Sequence, residues 1–122
     1  MAFVLVVDDD PLFREIARET LAQAGHRVAV AEDGGGALAA AKERPDVAIV
    51  DMLMPNRDGL ETIGDLRDAW PGLKVIAVSA GARLLEPDLL LRAAKALGAD
   101  ATLVKPVAGD RLIEAVEALI GG

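Results

Sequence analysis

Polar side chains able to do chemistry follow four apolar segments of this sequence, at the point where each segment ends. Asp8 and Asp9 come directly after FVLVV, and Asp51 directly follows VAIV. Ser79 follows VIAV, and Lys105 follows ATLV. In an open parallel sheet the ligand site lies beyond the carboxyl ends of the strands, so these side chains are expected in one crevice. Carboxylates, a hydroxyl and an ammonium together suit phosphoryl chemistry, in which a carboxylate attacks and positive charge neutralises the phosphoryl oxygens.

A divalent cation is the natural companion of three clustered carboxylates. Asp8, Asp9 and Asp51 repel one another at neutral pH, so such a cluster persists only with a cation or a proton between them. The chain has no cysteine and a single histidine, His26, which lies elsewhere in the sequence. All-oxygen ligation favours a hard ion such as Mg²⁺, which keeps positions open for phosphoryl oxygens. Lys105 adds a second positive charge suited to a tetrahedral anion.

The elements that must position these residues are repeated strand and helix units. The runs Phe3–Val7, Val47–Val50 and Val75–Val78 are uniformly apolar and are predicted to be central strands. The less apolar Arg27–Ala31 and the short Ala101–Val104 are predicted to be edge strands. Strict alternation with helices predicts a three-layer α/β architecture, a doubly wound five-stranded parallel sheet in the order 2-1-3-4-5.

The segments between the strands are predicted to be helices over 11–24, 35–43, 59–69, 87–97 and 109–120. Asp10 followed by Pro11 predicts a helix cap and a first helical turn. The three glycines 34–36 are predicted to form a loop before the second helix, because no phosphate-loop lysine follows them. His26 follows the helix-ending Gly25 and is predicted to be a surface residue.

Composition narrows the class of protein. The chain has 122 residues, which suits one domain over residues 1–122 with no attached output domain, and 52% of them are hydrophobic, enough for a core. The formal net charge of −7 argues against nucleic acid and anionic membrane as direct partners. The opening apolar run is too short for a signal peptide or a membrane span. Together with the lack of cysteine, this predicts a cytoplasmic protein.

The chain resembles the receiver domains of two-component response regulators, the CheY-like domains with a flavodoxin-like fold. The resemblance covers essentially the whole chain. Four motifs carry it, each at the expected strand end: Val7-Asp8-Asp9-Asp10, Asp51-Met52-Leu53-Met54-Pro55 with Asp58-Gly59, Val78-Ser79-Ala80, and Gly98-Ala99-Asp100 leading to Lys105-Pro106.

The resemblance implies a metal set and a phosphoacceptor. Asp51 would take a phosphoryl group from the phosphohistidine of a sensor histidine kinase, or exchange it with a histidine phosphotransfer protein. Asp9, Asp51 and the backbone carbonyl of Leu53 would ligate Mg²⁺, and Asp8 would act mainly through water. The protein would then be a signalling phosphoacceptor and not an enzyme with an external substrate.

The resemblance also implies roles for the hydroxyl and the amine. Ser79 would bond a phosphoryl oxygen and move toward it on activation, and Lys105 would pair with the phosphoryl group. The Lys105–Pro106 peptide bond would be cis, which proline permits at low energetic cost.

Three departures from the family pattern concern the output of the switch. Thr102 stands where the family usually has Tyr or Phe, and no nearby ring in the sequence replaces it. Leu53 and Gly81 stand where polar groups often orient the hydrolytic water, which predicts slow self-dephosphorylation. The segment Gly81–Asp88 is longer than usual and leucine-rich. Its leucines either fold onto the core or form a surface for a partner or a homodimer, and both interpretations stay open.

Three other functions fit part of the pattern. A small phosphatase of the haloacid dehalogenase type would use Asp8 as nucleophile and Asp10 as acid, but that leaves Asp51 unexplained. A flavodoxin-like electron carrier lacks a phosphate-gripping loop after the first strand. A degenerate receiver would act as a scaffold without phosphorylation, which Thr102 keeps open. The preferred hypothesis is a receiver that signals in trans to another protein after modification of Asp51.

Overall fold

The computed structural model describes residues 1–52, 59–79, 92, 95–96 and 98–121. Its strands are β1 (Phe3–Val7), β2 (Arg27–Ala31), β3 (Val47–Asp51), β4 (Lys74–Ser79) and β5 (Ala101–Val104). The helices bounded within these ranges are α1 (Pro11–Gln23), α2 (Gly34–Ala41), α3 (Gly59–Ala69) and α4 (Gly109–Gly121). All strand pairs are parallel, and the sheet order is β2-β1-β3-β4-β5. The predicted doubly wound order is confirmed.

Burial separates central strands from edge strands as the apolar runs predicted. Every residue of β1 and β3 is buried, and in β4 only Lys74 is exposed. In β2 and β5 most residues are partly or fully exposed. A strand covered by helices on both faces has no solvent-facing side, which explains why the central runs contain no polar residue before their ends.

The core consists of two apolar layers, one on each face of the sheet. Alternate residues of a strand point to opposite faces, so Leu5 and Val7 of β1 enter one layer while Val4 and Val6 enter the other. The first layer receives the buried faces of α2 and α3, and the second those of α1 and α4. Each of these helices therefore has a fixed face toward the sheet.

The first helix begins as predicted, but the start of the second differs. Asp10 caps α1, and its Oδ1 accepts a hydrogen bond from the backbone N of Leu12 at 3.0 Å. The loop predicted for glycines 34–36 is wrong, because α2 begins at Gly34. Asp33 caps this helix by accepting from the backbone N of Gly36 at 3.0 Å. A good cap and the burial of Ala37 and Ala41 outweigh the low helix propensity of glycine.

The prediction that His26 lies on the surface is also wrong, because its side chain is only 4% exposed. Its Nδ1 accepts a hydrogen bond from the backbone N of Ala2 at 3.0 Å, and its Nε2 lies 3.2 Å from Oε2 of Glu117. Since Nδ1 is an acceptor, the proton sits on Nε2 and is donated to Glu117. His26 thus joins the start of the chain to α4, a contact between residues far apart in the sequence.

The leucine-rich segment Gly81–Asp88 lies outside the described residues. Most of the predicted helix over 87–97 lies outside them as well. The three positions of that helix that are described, 92, 95 and 96, are helical. In the part of the chain that the structure describes, no helix is long and apolar enough to cross a membrane.

Candidate functional site

The backbone aligns the carboxyl ends of the three strands that carry the candidate site. The backbone N of Met52, just after β3, donates to the carbonyl of Val78 at 2.8 Å. The backbone N of Lys105, just after β5, donates to the carbonyl of Ser79 at 2.7 Å. The ladder therefore continues past the last strand residues, which holds Asp51, Ser79 and Lys105 in fixed register at one edge of the sheet.

The carboxylates of Asp8, Asp9 and Asp51 form one cluster. Each offers an oxygen within 4.8 Å of the others. Asp8 and Asp51 are buried, with 1% and 3% of their surface exposed, whereas Asp9 is exposed. Two carboxylates thus form the floor of a crevice and the third stands at its mouth, open to a partner or ion from solvent.

Asp8 connects the acidic cluster to both of its neighbours. Its Oδ1 accepts a hydrogen bond from the backbone N of Asp10 at 2.9 Å. Its Oδ2 lies 2.8 Å from the Nζ of Lys105, an ion pair. Within the described residues this buried Oδ2 accepts no directed hydrogen bond. At 2.8 Å the contact with Lys105 is a close ion pair, and the oxygen keeps a lone pair available to a further cation or a bound water.

The donor set fits a hard divalent cation. The cluster offers carboxylate oxygens, and the Lys105 ammonium faces it as a countercharge through its ion pair with Asp8. Three carboxylates at this separation carry more negative charge than one ammonium balances. Oxygen ligands with one exposed side suit Mg²⁺, which retains waters on its open positions.

Two residues of α1 that the sequence did not single out reach the site. The ring of Phe13 lies under the Lys105 ammonium, with Nζ 4.4 Å from the ring centroid. Nη1 of Arg14 donates to the backbone carbonyl of Asp8 at 2.8 Å. Helical side chains lean toward the N-terminus of their helix, so residues in the first turn of α1 point back over the end of β1. Applied to the helix that follows Asp10, this rule could have identified Phe13 and Arg14 from the sequence.

Close contact with α3 holds the Asp51 segment from the other side. The first residue of α3 is Gly59, whose backbone N lies 3.4 Å from the carbonyl of Met52. A Cβ on Gly59 would overlap the carbonyl oxygen of Asp51 and come within 2.6 Å of the Cα of Met52. Only glycine therefore lets the start of α3 approach the end of β3 this closely.

The remaining predicted positions divide into two groups. The Lys105–Pro106 peptide bond is cis, as expected, and Thr102 is half-buried on β5 opposite Ala77. Leu53, expected to offer its carbonyl to the metal, and Gly81 lie outside the described residues. Asp10, the acid of the phosphatase alternative, is occupied as the cap of α1.

A five-stranded doubly wound sheet with an acidic cluster and a lysine at its carboxyl edge defines the CheY-like class of α/β domains. The chain belongs to the response regulator receiver domain family, whose model matches residues 4–117. It is therefore a receiver domain of two-component signalling.

Two curated relatives match the chain over part of their own length. The response regulator MprA of Mycolicibacterium vanbaalenii is 38% identical over 118 residues, which are 96% of this chain and 49% of that protein. The probable transcriptional regulatory protein TcrX of Mycobacterium tuberculosis is 41% identical over 78 residues, 63% of this chain and 33% of its own. The chain thus spans half or less of the length of these curated relatives.

Solved structures repeat the fold over nearly the whole chain. The chemotaxis protein CheY4 of Vibrio cholerae superposes with a TM-score of 0.87 at 33% identity, covering 98% of this chain and 99% of that one. NtrX of Brucella abortus superposes with a TM-score of 0.90 at 28% identity, covering 98% of this chain and 27% of that one.

Proposed function

We propose that the protein accepts a phosphoryl group on Asp51 from a sensor histidine kinase or a histidine phosphotransfer protein and then signals in trans through a change of conformation or association. The observation that carries the proposal is the meeting of three carboxylates with Lys105 at the edge of a receiver fold. Response regulator receivers have histidine kinases as partners in general, which makes a phosphohistidine the donor of choice.

The transfer is a displacement at phosphorus. An oxygen of Asp51 attacks the phosphorus, the bond between phosphorus and the histidine nitrogen breaks, and the imidazole nitrogen takes up a proton from solvent. Lys105 stands beside the acidic floor, 2.8 Å from Asp8, and pairs with a phosphoryl oxygen once the group arrives. Ser79, buried at the end of β4, offers a hydroxyl to another oxygen. Both contacts favour the anion that forms on Asp51.

Asp8, Asp9 and Asp51, with the carbonyl of Leu53, would hold Mg²⁺. When bound, the ion neutralises charge on the phosphoryl oxygens and orients the group for in-line attack. The Lys105 ammonium, paired with Asp8, compensates the charge of the three carboxylates only in part. Without a further cation the carboxylates would therefore repel an incoming phosphoryl dianion.

The proposal is tested with the purified chain, Mg²⁺ and acetyl phosphate as the donor, followed by intact mass spectrometry. The wild type is expected to gain the mass of one phosphoryl group, and Asp51→Asn is expected to gain none. Asp68→Asn, which changes an exposed carboxylate of α3, is the matched control and should behave as the wild type. Label on Asp51→Asn, or none on the wild type with Mg²⁺, would contradict the assignment.

We further propose that residues 1–122 act as one receiver unit and that its acyl phosphate is lost slowly. The second proposal rests on Leu53 and Gly81, apolar or without a side chain where polar groups often orient water. The decay of the phosphorylated protein after removal of donor measures it, and a half-life of seconds would overturn it.

The lack of cysteine agrees with the reducing cytoplasm as the place of action.

A further inference from the structure

The Lys105 ammonium has two neighbours of different kinds. On one side is the Asp8 carboxylate, with Oδ2 2.8 Å from Nζ. On the other side is the Phe13 ring of α1, with its centroid 4.4 Å from Nζ. The lysine side chain is 17% exposed, so water screens these contacts only in part. The face of an aromatic ring attracts a cation at this distance, and more strongly where solvent is reduced.

The ring matters because lysine is a flexible residue. Its four-carbon chain has many rotamers, and holding it in one of them costs a large amount of side-chain entropy. Asp8 competes with an incoming phosphoryl group for the Lys105 ammonium, because both are anions that the same Nζ would pair with. The Phe13 ring attracts the ammonium without adding negative charge, so it restrains the lysine without repelling the phosphoryl group.

The position of Phe13 allows this role. The ring is half-buried and packs on the core layer beneath α1 and α4. It also lines one wall of a groove of about 260 Å³ between these two helices, together with Ile16 and Val107. The core fixes the ring on one side, while the groove leaves room for a slightly larger side chain on the other.

We propose that Phe13 is a positioning residue that holds the Lys105 ammonium at the crevice for phosphoryl transfer to Asp51. This inference rests on the proposed function of Asp51.

The variants separate the ring face from the apolar volume. Phe13→Leu keeps an apolar side chain without a π face, and Phe13→Tyr restores the ring. Leu12→Ala is the matched control, since Leu12 is the preceding residue of α1 and is 66% exposed. With acetyl phosphate and Mg²⁺, Phe13→Leu is expected to be phosphorylated about fivefold more slowly, the upper end of the range for exposed cation–π contacts, because Lys105 is only partly exposed. Phe13→Tyr and Leu12→Ala should keep the wild-type rate.

A spectroscopic readout decides whether the ring acts on Lys105. In the unphosphorylated wild type the ring current shifts the proton resonance of the Lys105 ε-methylene upfield, and Lys105→Arg assigns that resonance. The shift is expected to disappear in Phe13→Leu and to return in Phe13→Tyr. Should Phe13→Leu fail to fold, Phe13→Met replaces it.

An unshifted Lys105 ε-methylene in the wild type would overturn the inference, as would a Phe13→Leu protein phosphorylated at the wild-type rate. A slow Phe13→Leu protein that Phe13→Tyr does not rescue would also overturn it, because the loss would then be structural. Failure of the proposed function is separate: the wild type would gain no phosphoryl group, and the ring-current shift would still decide whether Phe13 holds Lys105.

Discussion

Replacing glycine with alanine is expected to have opposite effects on stability at two positions of α3. Gly59 is the buried first residue of α3, and Gly64 is exposed five residues later. A Cβ on Gly64 would meet nothing within 4 Å. A Cβ on Gly59 would overlap the Asp51 carbonyl oxygen and lie 2.6 Å from the Cα and 3.0 Å from the Sδ of Met52. Gly59→Ala and Gly64→Ala therefore form a matched pair.

The expected magnitudes follow from these surroundings. The first two atoms that meet the new methyl group in Gly59→Ala belong to the backbone and cannot rotate aside, so the start of α3 must move off the end of β3. Overpacking of this kind costs roughly 1 to 3 kcal/mol, and we expect a net loss of about 2 kcal/mol. In Gly64→Ala the gain in helix propensity is unopposed, and we expect stabilisation by about 0.5 to 1 kcal/mol.

Urea unfolding followed by circular dichroism measures both changes in the free energy of unfolding. For a chain of this length a loss of about 2 kcal/mol corresponds to a melting temperature lower by roughly 8 °C. Because the displaced atoms include the Asp51 carbonyl, Gly59→Ala should also be phosphorylated more slowly by acetyl phosphate than Gly64→Ala. Equal stability of the two variants would refute the reasoning from close approach.

Three further predictions concern the caps, the buried histidine and the metal. Asp33→Ala removes the acceptor for the backbone N of Gly36 and should cost about 1 kcal/mol in urea unfolding, whereas Asp33→Asn should cost much less. His26→Leu leaves the backbone N of Ala2 without its acceptor and should cost about 1 to 3 kcal/mol, so an unchanged urea midpoint would contradict the bond. Asp9→Asn should weaken Mg²⁺ binding, measured by calorimetry, by tenfold or more, and should not lower the urea midpoint of the metal-free protein, because it removes one of three mutually repelling carboxylates.

Much of the architecture was predictable because it depends on local pattern. Uniformly apolar runs identify strands covered on both faces, and right-handed crossovers leave few orders for five such strands. The placement of Asp8, Asp51 and Lys105 at one edge follows from the same rule, since parallel strands end on the same side of a sheet. The cap at Asp10 was legible from its neighbour Pro11.

The features that the sequence pattern predicted wrongly depend on contacts between segments that are distant in the sequence. His26 is buried because Ala2 and Glu117 meet it from the two ends of the chain. The glycines at 34–36 are helical because Ala37 and Ala41 of the same helix are buried in the core, and packing there outweighs propensity.

The same holds for the surroundings of the acidic crevice. Residue types and spacing were sufficient to predict that Asp8, Asp9, Asp51 and Lys105 lie close together. The ring of Phe13 beneath Lys105 and the clearance that Gly59 gives to Asp51 depend on how closely α1 and α3 approach the strand ends. Such distances are set by the packing of whole helices on the sheet, and a one-dimensional pattern of apolar and polar residues carries no measure of them.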